Sequence, residues 1–280
     1  MPTNLPQSPT LPFSLNSQLP LVGKTILVTR AAGQSSQFSQ RLVEIGATVI
    51  QMPTLEIAPP SSWDALDNAI ANLSDFQWLI LTSSNAVNYF FERLIAQGQD
   101  IRALARVKIA VVGEKTAQSL KQRCLQADFI PPNFVADSLV ENFPEELTGK
   151  KILFPRVENG GREVLVRELT AKGAKVIEVA AYQSCCPTTI PPSAELALQG
   201  GTVDIITFAS SKTVRFFCQL AERIFAESSV ASCLEGVCIA SIGPQTSSDC
   251  ISLIGHVDVE AEEYTLDGLT LAIVNWTRNS

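Results

Sequence analysis

The stretch DFQWLILTSSNAVNYFF, Asp75–Phe91, changes character twice along its length. An apolar run, Trp78–Leu81, is followed by the small hydrogen-bonding residues Thr82–Asn85, and apolar residues then return at helical spacing. This order predicts a buried strand, a polar turn and an amphipathic helix. Nearly the same order recurs in VDIITFASSKTVRFF, Val203–Phe217, which indicates an internal repeat.

The repeat extends over most of the chain. Three further pairs of segments match in the same order and at nearly the same separation: GKTILVTRAAGQSSQFSQRLVEIGATVIQMP from Gly23 with GKKILFPRVENGGREVLVRELTAKGAKVIEVA from Gly149, VKIAVVGEKTAQSL from Val107 with VCIASIGPQTSSDC from Val237, and ADSLVENF with LDGLTLAI. Chance similarity does not preserve order and spacing over four blocks. We therefore predict a duplicated structural unit.

Each repeat alternates short β-branched runs with amphipathic segments of about a dozen residues, a length typical of helices. Alternation of this kind is typical of a parallel sheet covered by helices on both faces. Gly46 and Gly173 stand where a helix C-terminus is expected, just before the strands TVIQM and KVIEV. The predicted fold class is α/β, with two doubly wound parallel-sheet domains.

The composition is that of a folded protein, with 280 residues, 46% hydrophobic and 18% charged. This length suits one large domain or two of ordinary size. The longest apolar runs are strand-sized, far short of the ~20 residues of a membrane span, so no membrane partner is expected. Residues 1–20 contain five prolines and no Lys or Arg, which favours a disordered tail over a secretory or transit signal.

Charge, cysteine and histidine content exclude several classes of site. The net charge of −7 gives no basic field for nucleic acid. Seven cysteines without a C-x-x-C pair indicate reduced thiols in a cytoplasmic protein. With His256 as the only histidine, a His-based metal site or a Ser-His-Asp triad is hard to build, and no metal is expected. The sequence has no long apolar stripe of the kind that an obligate dimer needs, so we expect a monomer.

Two proline-punctuated segments occupy equivalent places in the repeats. They are MPTLEIAPP, Met52–Pro60, and AAYQSCCPTTIPP, Ala180–Pro192. Proline excludes a helix interior, so both segments are predicted to be extended linkers between domains, 52–60 and 180–192. If both cross, the chain passes between the domains twice.

Polar and basic residues gather after the predicted strands. In open parallel sheets this edge binds ligands, because helix N-termini with exposed N–H groups lie there. Six such loops in an otherwise acidic chain favour a shared polyanion site, although a helix cap alone explains each Ser or Thr taken singly. The predicted substrate-binding residues are Arg30, Ser83, Ser84, Asn85, Lys115, Thr116, Arg156, Arg162, Ser210, Ser211, Lys212 and Thr246.

Cofactor motifs fail when they are placed on the predicted elements. The GKT at Gly23 precedes its strand, and Gln18 stands where a P-loop requires glycine. TRAAGQ replaces the G-x-G-x-x-G of a dinucleotide site. The acidic VEAEE around Glu260 fits a solvated loop better than a metal site. No cofactor is predicted.

The ordered set ILVTR, LTSSNAV, VVGEKTAQSL, LFPR, GAKVIEVAAYQS and IGPQTSS resembles the uroporphyrinogen-III synthase family, from about Leu21 to Trp276. The resemblance implies two flavodoxin-like domains joined by a two-stranded linker. It also implies that domain one is discontinuous, 21–54 plus 187–280, and that domain two is 58–180. A tail, 1–20, precedes them.

The resemblance further implies the activity. The family converts hydroxymethylbilane, a linear tetrapyrrole with eight carboxylates, into uroporphyrinogen III by loss of water and inversion of ring D, without a cofactor. Tyr182 matches the linker tyrosine that is the family's candidate for assisting departure of the hydroxyl, although it would also fit as an aromatic plug. The two Ser-Ser turns, 83–84 and 210–211, are then expected to form facing halves of a carboxylate cradle. Ala209 departs from the family's usual Thr or Ser.

Two other functions remain open on the sequence alone. A non-catalytic protein whose two lobes close on an anionic ligand would retain that ligand without turnover. A two-domain glycosyltransferase would need a nucleotide-diphosphate site with acidic or histidine partners, for which the sequence offers no candidate.

Overall fold

The structure is a computed structural model, and it describes residues 19–31, 36–133, 136–160, 163–225 and 229–279. The strands are β1 Thr25–Val28, β2 Thr48–Gln51, β3 Glu56–Ala58, β4 Trp78–Leu81, β5 Lys108–Val111, β6 Lys151–Val157, β7 Lys175–Cys185, β8 Ile205–Phe208, β9 Cys238–Ser241 and β10 Val259–Glu260. The helices are α1 Ser36–Glu44, α2 Asp64–Ala71, α3 Ser84–Ala96, α4 Glu114–Lys121, α5 Ala136–Glu141, α6 Glu163–Ala171, α7 Pro192–Gln199, α8 Ser211–Phe225, α9 Val230–Cys233, α10 Pro244–Leu253 and α11 Leu266–Asn279. Most of the predicted tail, 1–20, lies outside the described residues.

The chain divides into two compact units. Unit 1 comprises the described residues up to Glu56 together with those from Cys186 onward, and unit 2 is Ile57–Cys185. Unit 1 holds a five-stranded sheet in the order β10-β9-β8-β1-β2, and the second sheet has the order β3-β7-β6-β4-β5. The order β9-β8-β1-β2 matches β5-β4-β6-β7, because the repeat makes β8 equivalent to β4 and β1 equivalent to β6. Unit 2 is therefore a circularly permuted copy of unit 1.

Core residues lie on both faces of each sheet. In unit 2, alternate residues of β4 point to opposite sides, with Leu79 and Leu81 in one apolar cluster and Trp78 and Ile80 in the other. Unit 1 has two such clusters, one containing Leu27 and the other Ile26. Strands buried on both faces explain the continuous apolar runs of the sequence. The predicted class, two doubly wound parallel-sheet α/β domains, is confirmed.

The predicted helix-ending glycines adopt the conformation that the sequence requires. Gly46 has φ +102° and Gly173 has φ +86°, both in the left-handed region that side chains avoid. A Cβ atom at Gly46 would also lie 2.8 Å from Val22 Cγ2. Both positions therefore require glycine to turn the chain from helix into strand.

Strand β7 extends further into the second predicted linker, 180–192, than the sequence indicated. We expected domain two to end at residue 180, but β7 continues to Cys185. The extension is paired, because β3 lies beside β7 in the sheet and Gln183 Nε2 donates to the Pro59 carbonyl at 2.9 Å. The longer strand is thus accompanied by contacts between the two predicted linker segments.

The cysteines are free thiols, and three of them are buried in unit 1. Burial raises the pKa of Cys218 to about 11 and the pKa values of Cys238 and Cys250 to about 12. Thiols that stay protonated in this way pack as small apolar residues, as the sequence indicated.

Candidate active site

In unit 2 the polar turn after β4 starts helix α3. Ser83 occupies the N-cap position, and its hydroxyl accepts a hydrogen bond from the Ala86 N–H at 3.0 Å. A serine in this position satisfies one of the N–H groups that the first turn of a helix leaves without a partner. A buried strand opens onto small polar residues here because the next helix must be capped.

The equivalent turn of unit 1 is built in the same way. Ser210 precedes α8, and its hydroxyl accepts from the Thr213 N–H at 3.3 Å. The Thr213 hydroxyl in turn donates to the Ser210 carbonyl at 2.6 Å. The cap predicted from the repeat is therefore present in both units.

The second serine of each turn makes a hydrogen bond to the first turn of a neighbouring helix. Ser84 Oγ donates to the Lys115 carbonyl at the start of α4, and Ser211 Oγ donates to the Gln245 carbonyl at the start of α10, each at 3.2 Å. These hydroxyls hold two helix N-termini side by side at the carboxyl edge of each sheet.

Tyr182 lies against the cap of α3. It belongs to β7, its side chain is largely buried, and its Oη lies 3.1 Å from Ser83 Oγ, so either oxygen can be the donor. Its ring stacks on that of Tyr89 with centroids 5.8 Å apart. Sequence reasoning selected Ser83 and Tyr182 separately, and the structure brings them into contact.

The two predicted helix-start threonines, Thr116 and Thr246, are buried. Thr116 is 4% exposed, and its hydroxyl donates to the Val112 carbonyl at 3.1 Å. Thr246 is 5% exposed. A threonine hydroxyl reaches the carbonyl of the preceding turn easily, so here the residue type supports the fold of the turn.

Arg156 is an ion-pair partner rather than a freely available positive charge. It lies within β6, its guanidinium pairs with the Glu178 carboxylate on β7, and Nη2 donates to the Gly160 carbonyl at 2.8 Å. Its buried Nε makes no hydrogen bond with the described residues. The sequence missed this pair because Glu178 reaches Arg156 only through the pairing of β6 with β7.

Arg30 occupies the place in unit 1 that Arg156 has in unit 2. It follows β1, and partial burial lowers the pKa of its guanidinium, which nevertheless stays protonated at neutral pH. The repeat places Gln51 where unit 2 has Glu178. The remaining predicted arginine, Arg162, lies outside the described residues.

The other predicted residues stand in the first turns of their helices. Asn85 is half-buried at the start of α3, Lys115 is exposed at the start of α4, and Lys212 is half-buried at the start of α8. Neither lysine forms an ion pair within the part of the chain that the structure describes. Positive charge beside helix N-termini favours binding of carboxylates.

The cavities of the described residues lie away from the predicted site residues. Unit 1 has cavities of about 660 and 620 Å³, the first beside His256 and Trp276 and the second beside Arg41 and Asp267. None of the predicted site residues lines either cavity. Among the described residues, no three His, Cys, Asp or Glu side chains are placed to hold a metal, and no helix is long and apolar enough to cross a membrane.

Comparison with known proteins decides the family. A family model described as uroporphyrinogen-III synthase HemD matches residues 36–270. The chain is 55% identical over 265 residues to the uroporphyrinogen-III synthase of Synechococcus elongatus, covering 94% of this chain and 99% of that protein.

The chain belongs to the uroporphyrinogen-III synthase family.

A more distant relative agrees with this assignment, and solved structures show the same fold. The uroporphyrinogen-III synthase of Chlorobaculum parvum is 28% identical over 260 residues, 89% of this chain and 96% of that one. The fold resembles the crystal structure of the synthase from Helicobacter pylori, with a TM-score of 0.57 and 16% identity over 90% of this chain and 99% of that one. It also resembles a crystal structure of the synthase from Thermus thermophilus, with a TM-score of 0.54 and 17% identity over 92% of this chain and 100% of that one. The resemblance noted in the sequence is thus confirmed as membership of the synthase family.

Proposed function

We propose that this chain cyclises hydroxymethylbilane to uroporphyrinogen III, with inversion of ring D and loss of water. The observation that supports the reaction is 55% identity to a uroporphyrinogen-III synthase over almost the whole of both chains. The enzyme is accordingly a lyase of tetrapyrrole biosynthesis.

The first step is departure of the terminal hydroxyl. The C–O bond of the hydroxymethyl group breaks, the adjacent pyrrole nitrogen supplies the electron pair that stabilises the resulting cation, and the hydroxyl leaves as water after receiving a proton. Tyr182 is the proposed donor of that proton. A phenol hydroxyl carries a proton that it can give to a leaving oxygen, so it can act as a general acid.

Ser83 makes this role chemically consistent. Its oxygen already accepts the Ala86 N–H, and its own proton can be donated to Tyr182 Oη at 3.1 Å. With the hydrogen bond in that direction, the phenol proton stays available for the leaving hydroxyl. The same bond stabilises the charge that develops on the phenol oxygen as its proton leaves.

The remaining task is to hold a flexible polyanion in one conformation while ring D attacks. Free in solution, the same cation closes to the symmetric isomer I, so the enzyme directs closure by positioning the substrate. We assign the carboxylates to Arg30, Lys115, Lys212 and the helix N-termini after the Ser-Ser turns. Helix N-termini and amines bind carboxylates by charge and by N–H donation, so the proposed reaction needs no metal.

The test is a reaction of the purified chain with freshly prepared hydroxymethylbilane. The products are oxidised to porphyrins, and isomers I and III are separated by chromatography. We expect isomer III to predominate with the enzyme and isomer I without it. Tight retention of the bilane without acceleration would instead support the non-catalytic binding protein. Formation of isomer I alone would overturn the proposal.

A further inference from the structure

We propose that Tyr89 is a positioning residue for Tyr182, which it holds at the angle needed for proton donation. This inference rests on the proposed function, because it assigns a partner to the general acid of that reaction. All of the contacts that support it lie within unit 2.

Helix α3 holds Tyr182 at two points. Its N-cap, Ser83, contacts the phenol oxygen, and Tyr89, two turns further along, lies against the ring with an interplanar angle of 23°. The helix packs against β7 itself, the strand that carries Tyr182. One rigid element therefore sets both the position of the hydroxyl and the plane of the ring.

Tyr89 is itself fixed in place. Its hydroxyl donates to the Ile57 carbonyl at 3.1 Å, and its other neighbour is the indole of Trp63, with centroids 6.5 Å apart and an interplanar angle of 30°. A ring held at its hydroxyl and packed between two aromatic neighbours has little freedom to rotate. Stacked aromatic pairs of this kind stabilise a structure beyond the area that they bury.

The outer end of the stack is closed by an ion pair. The Arg93 guanidinium lies 4.7 Å from the centroid of the Trp63 ring, and its Nε donates to Asp67 at 2.6 Å. The hydrogen bond with Arg93 lowers the pKa of the Asp67 carboxyl, so this anchor stays ionised at neutral pH. Arg93 stands four residues after Tyr89, on the same face of α3.

Among the described residues, the aromatic ring that packs on Tyr182 is that of Tyr89. The core around Tyr182 buries the ring, Tyr89 stacks on its face, and Ser83 contacts its hydroxyl. A mispositioned acid loses rate while substrate binding is preserved.

The test compares Tyr89→Leu with Tyr89→Phe in single-turnover experiments, each with and without Tyr182→Phe. We expect Tyr89→Leu to slow turnover about five- to tenfold with KM little changed, because orientation is lost and binding is not. Tyr89→Phe keeps the ring and should lose no more than about twofold. In the Tyr182→Phe background, Tyr89→Leu should have almost no further effect, since the hydroxyl that it orients is already gone.

Phe143→Leu serves as the matched control. Phe143 packs edge-on against Trp78 on the other face of the same sheet, so its replacement weakens unit 2 without touching Tyr182. It should lower the melting temperature with turnover unchanged. Equal fractional losses from Tyr89→Leu in both backgrounds, or a wild-type rate for Tyr89→Leu, would overturn the inference. If the wild-type chain formed no isomer III, the proposed function would fail first.

Discussion

The two Ser-Ser turns share their hydrogen-bonding pattern and differ in what lies against them. In unit 2 the cap Ser83 contacts the phenol of Tyr182. In unit 1 the carboxylate of Asp249 lies near the equivalent turn, and the nearby Ser211 hydroxyl and Arg215 guanidinium lower the pKa of that carboxyl. The repeat places Ser119 where unit 1 has Asp249, so unit 2 has no acid at that position.

The residue at the position beside the strand-end arginine also differs between the two units. Arg156 of unit 2 is paired with Glu178, whereas the repeat places the uncharged Gln51 at the equivalent position beside β1 in unit 1. An arginine whose charge is already compensated attracts a substrate carboxylate less strongly. Duplication thus supplied two similar sheet edges, which later substitutions made different. We propose that unit 2 supplies the proton donor and that unit 1 contributes more of the carboxylate binding.

The largest expected effect tests the phenol. Tyr182→Phe should slow single turnover about 10- to 100-fold, the low end of what a general acid contributes, because the pyrrole nitrogen already assists departure of the hydroxyl. The isomer III that forms should remain correct, since positioning of the substrate is left intact. Single-turnover rate and the ratio of isomers III and I, measured together, check both statements.

Tyr264→Phe is the control for this change. It removes a phenol hydroxyl from an exposed tyrosine of unit 1 and should leave the rate as it is. An unchanged rate in Tyr182→Phe would make that residue a packing element. Isomer I as the main enzyme-bound product of Tyr182→Phe would assign ring inversion to the tyrosine.

The positive charges at the two sheet edges give the next largest effect. Lys212→Ala in unit 1 should raise KM about tenfold, the loss of roughly one charge-assisted interaction, while Arg156→Ala should raise it less than about threefold. Arg156→Ala should instead lower the melting temperature, because Glu178 is left without its partner. Steady-state kinetics and thermal unfolding of both variants make the comparison. A larger rise in KM for Arg156→Ala would reverse the assignment of binding to unit 1.

The serine caps separate a shared role from a specialised one. Ser83→Ala and Ser210→Ala should each lower the free energy of unfolding by about 1 kcal/mol through loss of the helix cap. Only Ser83→Ala should also slow turnover, about three- to tenfold, because a hydrogen bond to the phenol is worth about 1 kcal/mol. Urea denaturation and single-turnover rates test both. Matching rates for the two variants would remove Ser83 from the proton-transfer step.

The smallest expected effect concerns alkaline stability. Burial raises the pKa of Cys250 in unit 1 to about 12, above the ~8.5 of an unfolded thiol. A raised pKa contributes stability that is complete below the unfolded value and is lost as pH rises towards the folded one. Between pH ~8 and ~9.5, Cys250→Ala should therefore reduce the pH-dependent fall in the free energy of unfolding by about 1 kcal/mol.

Cys124→Ala is the control in unit 2, because this thiol is exposed. The measurement is urea unfolding of wild type and both variants at the two pH values. Parallel losses of stability in wild type and Cys250→Ala would show that this thiol ionises alike in the folded and unfolded chain.

The duplication, the strand-turn-helix order and the helix caps can be predicted from the chain's local patterns. These features depend on local patterns, such as apolar runs, a serine before a helix and a glycine after one, which act over a single turn or strand. Gly46 and Ser83 were predictable for that reason. The reaction followed from an ordered set of motifs, which the family comparison confirmed.

Which of these residues come into contact depends on how the elements pack in the folded chain. Ser83 and Tyr182 are 99 positions apart, and their contact depends on α3 packing across β6 onto β7. The same packing places Tyr89 against Tyr182, a contact that its position in a predicted helix did not indicate. The pairing of β6 with β7 brings Glu178 to Arg156. Such contacts follow from strand order and from the direction in which each side chain leaves its element, and no local pattern in the chain encodes either.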